Sequence, residues 1–368
     1  MSSISGPMSE APPPRPVRRW KRLLKRTVQT LVGGIILLIC VGATYEFISE
    51  RIDARRFPQR GRSIPLGPEF HNISLNLDCS GGDRPAGLAG QNALPTVILD
   101  SGLGVPAIGW KLVQDQVAKF TRVCSYDRAG YGWSDAGPLP RTSLQIAREL
   151  HALLTTAGEK GPFVLVGHSF GGINVRVYTG QYPHEVVGMV LVDPMHEDQY
   201  QKFPVPFRLQ LPTDTQLTIA DVLLRLGITR ALEGNSGGSN SSNEFMQQVV
   251  ATQRSAKYLA VTNEEIRAFP RSAEQVRAAG NLGDRPLIVL TAGKVPPVAT
   301  LPAGATRKDL EELHRIWVDE LQISEAHLSS HGKRIMVADS DHMIPFERPD
   351  AIVAAIREVC DVANERSR

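Results

Sequence analysis

Cysteine is scarce in this sequence, with four residues in a chain of 368. So low a content excludes a small disulfide-dense scaffold, and no group of cysteine and histidine residues has the spacing of metal ligands. The glycine-rich stretches match neither a phosphate-binding loop nor a dinucleotide-binding loop. We therefore expect neither a metal ion nor a cofactor.

Negative charge is scarce near the N-terminus. Residues 1–62 hold 12 Lys/Arg against 4 Asp/Glu, a net charge of +8, whereas the rest of the chain holds 29 against 34, a net charge of −5. A mildly acidic body is not typical of a nucleic-acid-binding protein. With 42% apolar and 21% charged residues, this body can bury a sizeable core, and its length suits one large α/β domain or a smaller domain with an appendage.

A charge-free segment follows the basic one. Seven Lys/Arg and no acidic residue lie between positions 15 and 26, and Thr27 begins a run of 19 uncharged residues that ends at Tyr45. As a helix rising about 1.5 Å per residue, this run is roughly as long as the hydrocarbon core of a bilayer is thick. We predict a basic cytoplasmic tail over residues 1–26, a transmembrane signal anchor over 27–47 and a linker over 48–62.

The upstream cations also predict the orientation of this anchor. Positive charge favours the cytoplasmic side, which gives a single-pass membrane protein with an extracytoplasmic body. The main alternative is a signal peptide that is cleaved after the small residues Val41-Gly42-Ala43, leaving a secreted protein. A third interpretation is a buried helix of a soluble protein.

From about residue 60, short β-rich runs alternate with helical stretches, a pattern typical of a mostly parallel sheet with helices on both faces. Strands are predicted at 72–78, 96–100, 122–127, 163–167, 187–193, 286–291 and 334–338. Helices are predicted at 143–157, 170–181 and 351–364.

This alternation stops over residues 195–284, here called the insert. Two amphipathic stretches, 219–232 and 244–279, flank a tract of Gly, Ser and Asn at 234–243 whose composition predicts a flexible loop. The insert divides the body into a first part, 63–194, and a second part, 285–368.

The strongest chemical signal is Gly167-His168-Ser169-Phe170-Gly171, which directly follows the apolar run 163–166 and precedes a predicted helix. In a G-x-S-x-G turn between strand and helix, the serine occupies a sharp bend and the glycines allow backbone segments to pass closely. The serine hydroxyl then projects above the sheet. We predict that Ser169 is a nucleophile rather than part of an ordinary tight turn.

A serine nucleophile needs a general base, and the base needs a carboxylate that orients it. His342 is the best-placed base, because it lies in the loop after the last predicted strand. Asp193 is our candidate acid, because it ends the strand at 187–193 and gives the chain order Ser, acid, His. The next candidates for the acid are Glu197 and Asp198, and then Asp309.

Acyl chemistry also needs hydrogen-bond donors for the oxyanion of the tetrahedral intermediate. One candidate is the backbone N–H of Phe170, next to the nucleophile. The other is the backbone N–H of Leu103, in the glycine-containing loop 101–104 that follows the strand at 96–100. A plain turn is the alternative interpretation of this loop.

Together, the segments 126–135, 167–172 and 341–349 resemble the α/β-hydrolase superfamily over roughly residues 60–365. They are similar to a lid-bearing branch with esterases, epoxide hydrolases, haloalkane dehalogenases and cofactor-free haloperoxidases. The resemblance implies an eight-stranded, mostly parallel sheet flanked by helices, with the insert as a helical lid after strand six. It also implies that Cys79 and Cys124 lie at the meeting ends of two antiparallel strands, either as a disulfide or as two buried thiols.

The sequence departs from this family in informative ways. Epoxide hydrolases and dehalogenases use an aspartate nucleophile, so Ser169 favours acyl chemistry. No carboxylate follows the strand at 286–291 until Asp309. The same gap occurs in relatives whose catalytic acid follows strand six instead, and it therefore favours Asp193 as the acid. We expect Asp127 and Arg128 to form a structural ion pair.

These features predict a membrane-anchored serine hydrolase that cleaves a small, hydrophobic, ester-type and lipid-like substrate through an acyl-enzyme. An acyltransferase or perhydrolase would use the same residues with another acceptor. The non-catalytic alternative is a hydrolase-fold protein that binds a ligand or a partner. The retention of Ser169, Asp193 and His342 in the required order argues against that alternative.

Overall fold

The computed structural model describes residues 17–82, 94–208, 213–233, 243–295, 302 and 304–366. Residues 1–16 of the predicted basic tail and nearly all of the predicted loop at 234–243 lie outside these residues. Asn243, the last residue of that loop, is described, and its side chain accepts a hydrogen bond from the Phe245 N–H at 3.0 Å.

The described residues form an eight-stranded sheet with the order β1-β2-β4-β3-β5-β6-β7-β8. The β1–β2 and β2–β4 pairs are antiparallel, and all the others are parallel. The strands are β1 Arg62–Pro65, β2 Ser74–Ser80, β3 Thr96–Asp100, β4 Val123–Tyr126, β5 Phe163–His168, β6 Val186–Val192, β7 Leu287–Ala292 and β8 Gly332–Val337. This arrangement confirms the predicted mostly parallel sheet.

Thirteen α-helices occur in the described residues. They are α1 Val17–Arg56, α2 Lys111–Val117, α3 Ser143–Ala157, α4 Phe170–Gln181, α5 Gln199–Lys202, α6 Asp214–Arg225, α7 Ile228–Glu233, α8 Glu244–Thr252, α9 Ala256–Ala279, α10 Arg307–Arg315, α11 Gln322–Ala326, α12 Ile344–Glu347 and α13 Pro349–Arg366. A π-helical segment, Ile316–Leu321, joins α10 to α11. The predicted helices 143–157 and 170–181 have the observed bounds of α3 and α4.

The central strands are buried on both faces. Every residue of β3, β5 and β7 is buried, as expected for apolar strands of a parallel sheet that helices cover on both sides. One core cluster includes residues of α3 and α4, and the other includes residues of α2 and α13. The loops at the carboxyl ends of the strands are thereby held on a rigid frame.

Strand pairing also brings two cysteines together. Cys79 in β2 lies opposite Cys124 in β4, and the two form a disulfide. The register thus confirms one of the two alternatives that the resemblance implied. The free cysteines among the described residues are Cys40, which is exposed, and Cys360, which is buried.

The secondary structure differs from the sequence prediction in several places. The predicted linker at 48–62 is largely helical, because α1 continues without interruption to Arg56. The strand β1 was not predicted, since only Ile64 of its four residues is buried and no alternation is visible. The amphipathic stretch 219–232 forms two helices, which separate at Gly227, where φ is +64°.

The insert between β6 and β7 is helical, with α5 to α9 among its described residues. The long helix α9 packs against α3 and α4 of the core, and α6 packs against both α9 and α1. The insert therefore connects the sheet and its flanking helices to the N-terminal helix α1.

Candidate active site

Ser169 occupies the turn between β5 and α4. Its φ of 52° and ψ of −120° are unusual for a residue with a side chain. A Cβ atom at Gly167 would lie 2.5 Å from the carbonyl oxygen of Gly171, and one at Gly171 would lie 2.3 Å from that of Asp100. The two glycines of the motif are therefore required by close backbone contacts, as the pattern predicted.

His342 lies in the loop after β8 and faces Ser169. Its Nε2 is 3.0 Å from Ser169 Oγ, and its Nδ1 is 2.6 Å from Asp193 Oδ2. Ser169 is 6% exposed and the Asp193 side chain 2%, whereas the His342 side chain is 45% exposed. The structure thus brings the three predicted residues into one hydrogen-bonded chain that remains open to solvent at the imidazole.

Asp193 directly follows β6, with φ of 41°. Its Oδ1 accepts hydrogen bonds from the backbone N–H of Ala292 and from Nε1 of Trp317, both at 3.0 Å. Two donors on one oxygen orient the other oxygen toward His342. The contribution of Trp317 was not predicted, and no local sequence signal indicates that its π-helical segment lies over Asp193.

The other acids considered for this role are engaged elsewhere. Glu197 pairs with Arg176 at 2.8 Å, and Asp198 pairs with Arg277 at 2.6 Å. Asp309 caps α10 through a reciprocal hydrogen-bond pair with Thr306. Of the four candidates, the described contacts bring only Asp193 to His342.

His168 supports the loop that carries His342. The buried Nε2 of His168 lies 2.8 Å from the carbonyl oxygen of His342, and the two rings are 4.9 Å apart. Burial, with a smaller contribution from His342, lowers the pKa of His168 to about 3. His168 is therefore neutral near pH 7, and its Nε2–H donates to that carbonyl.

The loop 101–104 lies directly against the serine. A Cβ atom at Gly102 would be 3.2 Å from Ser169 Cβ, so only glycine allows this approach without displacement. Among the described residues, no acceptor is paired with the N–H of Leu103 or of Phe170. Both predicted oxyanion donors are thus available.

Arg128 fixes the same loop through hydrogen bonds to its backbone. Its guanidinium donates to the carbonyl oxygens of Ser101 at 2.6 Å and Gly102 at 3.0 Å, and to Asp100 at 2.8 Å. The expected ion pair with Asp127 is wrong. Asp127 instead accepts hydrogen bonds from backbone N–H groups and from a neighbouring side chain, namely those of Ala107, Trp133 and Asn76.

The helix α9 of the insert completes this support. Glu265 accepts two hydrogen bonds from Arg128 and one from the hydroxyl of Tyr131, which in turn accepts the Gly104 N–H at 3.1 Å. The hydroxyl of Tyr258 donates to the Gly104 carbonyl at 2.8 Å. The insert therefore contributes to the conformation of the loop 101–104, here called the oxyanion loop after its predicted role.

A family comparison agrees with this architecture. The model of the alpha/beta hydrolase family matches residues 97–355, about 70% of the chain. The chain belongs to the alpha/beta hydrolase family. The match includes the turn at Ser169, the strand end at Asp193 and the loop at His342.

Several curated proteins are similar to this hydrolase in sequence. An AB hydrolase superfamily protein of Gibberella zeae is 26% identical over 281 residues, which are 72% of this chain and 86% of that protein. A probable transporter of Hormonema carpetanum is 23% identical over 73% of this chain but only 39% of its own length. A vacuolar membrane protein of Saccharomyces cerevisiae is 33% identical over 36% of this chain and 23% of its own.

Solved structures share the fold at low sequence identity. An esterase from Thermogutta terrifontis has a TM-score of 0.52 and 20% identity, covering 82% of this chain and 98% of its own. A Pseudomonas aeruginosa protein provisionally assigned as an epoxide hydrolase has a TM-score of 0.59 and 17% identity. The match covers 83% of this chain and 97% of that protein. These similarities support the hydrolase fold and no finer activity.

One side-chain cluster of this hydrolase has the donor set of a metal site. Donor atoms of His196, Glu197 and Glu325 lie within 4.8 Å of one another. However, Nη1 of Arg176 donates to Glu197 at 2.8 Å and to Glu325 at 2.7 Å. The guanidinium already supplies the positive charge that a metal would bring, so this cluster does not fit a cation.

Proposed function

We propose that the protein is a membrane-anchored serine hydrolase that cleaves a hydrophobic ester through an acyl-enzyme. The observation that carries this proposal is the hydrogen-bonded chain from Ser169 Oγ through His342 to Asp193. A hydroxyl is a weak nucleophile, and a base within about 3 Å that is oriented by a carboxylate is the arrangement that activates it.

In the proposed reaction, Ser169 Oγ attacks the ester carbonyl while its proton moves to His342 Nε2. Asp193 stabilises the imidazolium through Nδ1–H, and the N–H groups of Leu103 and Phe170 donate to the developing oxyanion. Collapse of the tetrahedral intermediate expels the alcohol, which takes the proton from Nε2. Water then attacks the acyl-enzyme with His342 as the base, and the acid leaves as Ser169 regains its proton.

The membrane anchor is supported by α1. Its most apolar 18-residue window has a mean hydropathy of 2.1 and is only 6% buried, so its side chains are not part of the core. Seven upstream cations favour a cytoplasmic N-terminus, and the Cys79–Cys124 disulfide is consistent with a body in an oxidising compartment.

The test uses the full-length protein in lipid nanodiscs and a fluorophosphonate probe, which labels activated serines. We expect one adduct, located by mass spectrometry on Ser169, that is lost in Ser169→Ala and His342→Ala. The matched control is Ser330→Ala, an exposed serine remote from the site, which should label like the wild type. Absence of labelling in a folded protein would favour the non-catalytic binding protein instead.

A further inference from the structure

The insert meets α1 within the stretch predicted to span the membrane. A Cβ atom at Gly42 would lie 2.4 Å from the carbonyl oxygen of Leu226, and one at Gly227 would lie 2.7 Å from Cδ1 of Tyr45. The corner between α6 and α7 is therefore in direct contact with the last turn of the charge-free run 27–45. We call this helix pair, residues 214–233, the α6–α7 corner.

The depth of this contact follows from the helix rise. Gly42 is three residues before the end of the charge-free run, which corresponds to about 5 Å along the helix axis. If α1 spans a bilayer with this run in the hydrocarbon, Leu226 and Gly227 reach the same depth. The part of the α6–α7 corner around these two residues then lies at the boundary of the lipid.

The charged residues next to this contact are paired with one another. Arg230 of α7 forms a two-bond pair with Glu46 at 2.9 and 3.0 Å and reaches Asp53 at 2.7 Å. Glu46 is the first charge after the apolar run and is only 5% exposed. A bidentate pair of this kind reduces the cost of placing a carboxylate at a membrane boundary.

Four apolar side chains of the corner are exposed on its outer surface. Ile219, Val222 and Leu223 of α6 are 53%, 47% and 36% exposed, and Leu232 of α7 is 81% exposed. The first three lie at spacings of three and four residues, which place them on one face of the helix. This face is continuous with α1 at Leu226, so the bilayer that surrounds α1 is the partner that the geometry favours.

We propose that the α6–α7 corner is embedded in the interface of the leaflet from which α1 emerges. Resting on the proposed hydrolase function, this contact implies that the substrate is an ester dissolved in that leaflet. The helix α6 packs on α9, which carries Tyr258 and Glu265. The membrane contact therefore lies one helix away from the support of the oxyanion loop.

Site-specific fluorescence quenching tests the membrane contact directly. In full-length Cys40→Ser protein, one cysteine at a time replaces Ile219, Val222 or Leu232, and each is labelled with the dye NBD. The protein is placed in nanodiscs at one copy per disc, with lipids that carry a quencher at a shallow or a deep position. Ile36→Cys in the predicted span and the exposed Met336→Cys of the edge strand β8 are the lipid-exposed and water-exposed controls.

We expect at least a twofold loss of fluorescence at Ile219, Val222 and Leu232, larger for the shallow quencher, and the reverse preference at Ile36. Met336 should not be quenched. Corner labels that behave like Met336 would overturn the proposal, and so would an unquenched Ile36. Corner labels shielded from water yet unquenched by lipid would assign the surface to a second copy of the chain, which also overturns it.

Hydrolysis rates on two kinds of ester distinguish the membrane contact from the hydrolase function itself. We expect Val222→Asp to lower the hydrolysis rate of a long-chain ester embedded in vesicles at least tenfold, while a water-soluble short-chain ester is cleaved within twofold of wild type. Ser330→Asp, at an exposed position outside the insert, is the control and should change neither rate. Equal losses on both esters would contradict the membrane role, whereas absence of Ser169 labelling in the wild type would contradict the hydrolase function alone.

Discussion

Arg128 and Glu265 form a buried ion pair, with Nε to Oε1 at 2.8 Å and Nη2 to Oε2 at 3.0 Å. Their side chains are 2% and 0% exposed. Arg128 belongs to the core and holds two carbonyls of the oxyanion loop, whereas Glu265 belongs to helix α9 of the insert. The conformation of the oxyanion loop therefore depends on the position of the insert.

Neutralising Glu265 should impair the proposed catalysis without removing a catalytic group. In Glu265→Gln, Arg128 loses its anionic partner, and the donor at Leu103 is less well positioned. We expect kcat to fall about tenfold, a fraction of the loss seen when an oxyanion donor is deleted, with KM within twofold. We also expect the free energy of unfolding to fall by about 3 kcal/mol.

The adjacent residue provides a matched control for this prediction. Glu264 pairs with Arg267 near the surface of the same helix at 2.8 Å, so Glu264→Gln should change kcat by less than twofold. Steady-state kinetics and thermal unfolding measure both effects. A rise in KM with unchanged kcat in Glu265→Gln would show that the pair serves substrate binding instead of the oxyanion loop.

The assignment of the acid can be tested by three amide substitutions. Asp193→Asn removes the charge that stabilises the imidazolium and disturbs the tautomer of His342, and we expect kcat to fall roughly 10³–10⁴-fold. Asp198→Asn and Asp309→Asn should retain activity within about threefold, because these residues form an ion pair with Arg277 and a helix cap. Comparable loss in either control would reassign the acid.

His168 makes the stability of the body depend on pH. Its pKa is lowered to about 3 by burial, whereas the unfolded histidine titrates near 6.5. Between about pH 3 and pH 6.5, His168 therefore binds a proton in the unfolded chain but not in the folded protein. The contribution of the neutral ring is complete above about pH 6.5 and is lost as the pH falls toward 3, by up to about 1.4 kcal/mol per pH unit.

The variant His168→Gln cannot titrate and still offers an N–H to the His342 carbonyl. We expect its melting temperature to fall less between pH 7.5 and pH 5 than that of the wild type. His331→Gln, at an exposed histidine, is the control and should follow the wild type. If the melting temperature of His168→Gln depends on pH as strongly as that of the wild type, His168 is not the group responsible.

The disulfide should stabilise the body. Cys79 and Cys124 are 45 residues apart. Cross-linking a loop of this length lowers the conformational entropy of the unfolded chain, which stabilises the folded state by about 4 kcal/mol. The double variant Cys79→Ser/Cys124→Ser should lose much of this stability and become insensitive to reductant, whereas Cys40→Ser should behave like the wild type. Peptide mapping without reduction that finds both thiols free would contradict the prediction.

Much of the candidate site could be predicted because its signals are local. The turn at Ser169 combines an apolar strand, close-contact glycines and a helix within about 20 residues. Asp193 directly follows β6 and His342 lies in the loop after β8, and strand ends of a parallel sheet meet at one edge. The predicted Asp127–Arg128 pair failed because adjacency along the chain does not place two side chains on the same side of a turn.

The sequence by itself determined the apolar span, the strand–helix alternation and the candidate nucleophile, because each depends on neighbouring residues. Tertiary structure alone decided which distant groups meet. Trp317 reaches Asp193 across 124 positions, and Glu265 reaches Arg128 across 137. The contact of Gly42 with Leu226 is likewise non-local. Such pairs leave no periodic pattern in the sequence, since only the packing of complete helices on the sheet brings them together.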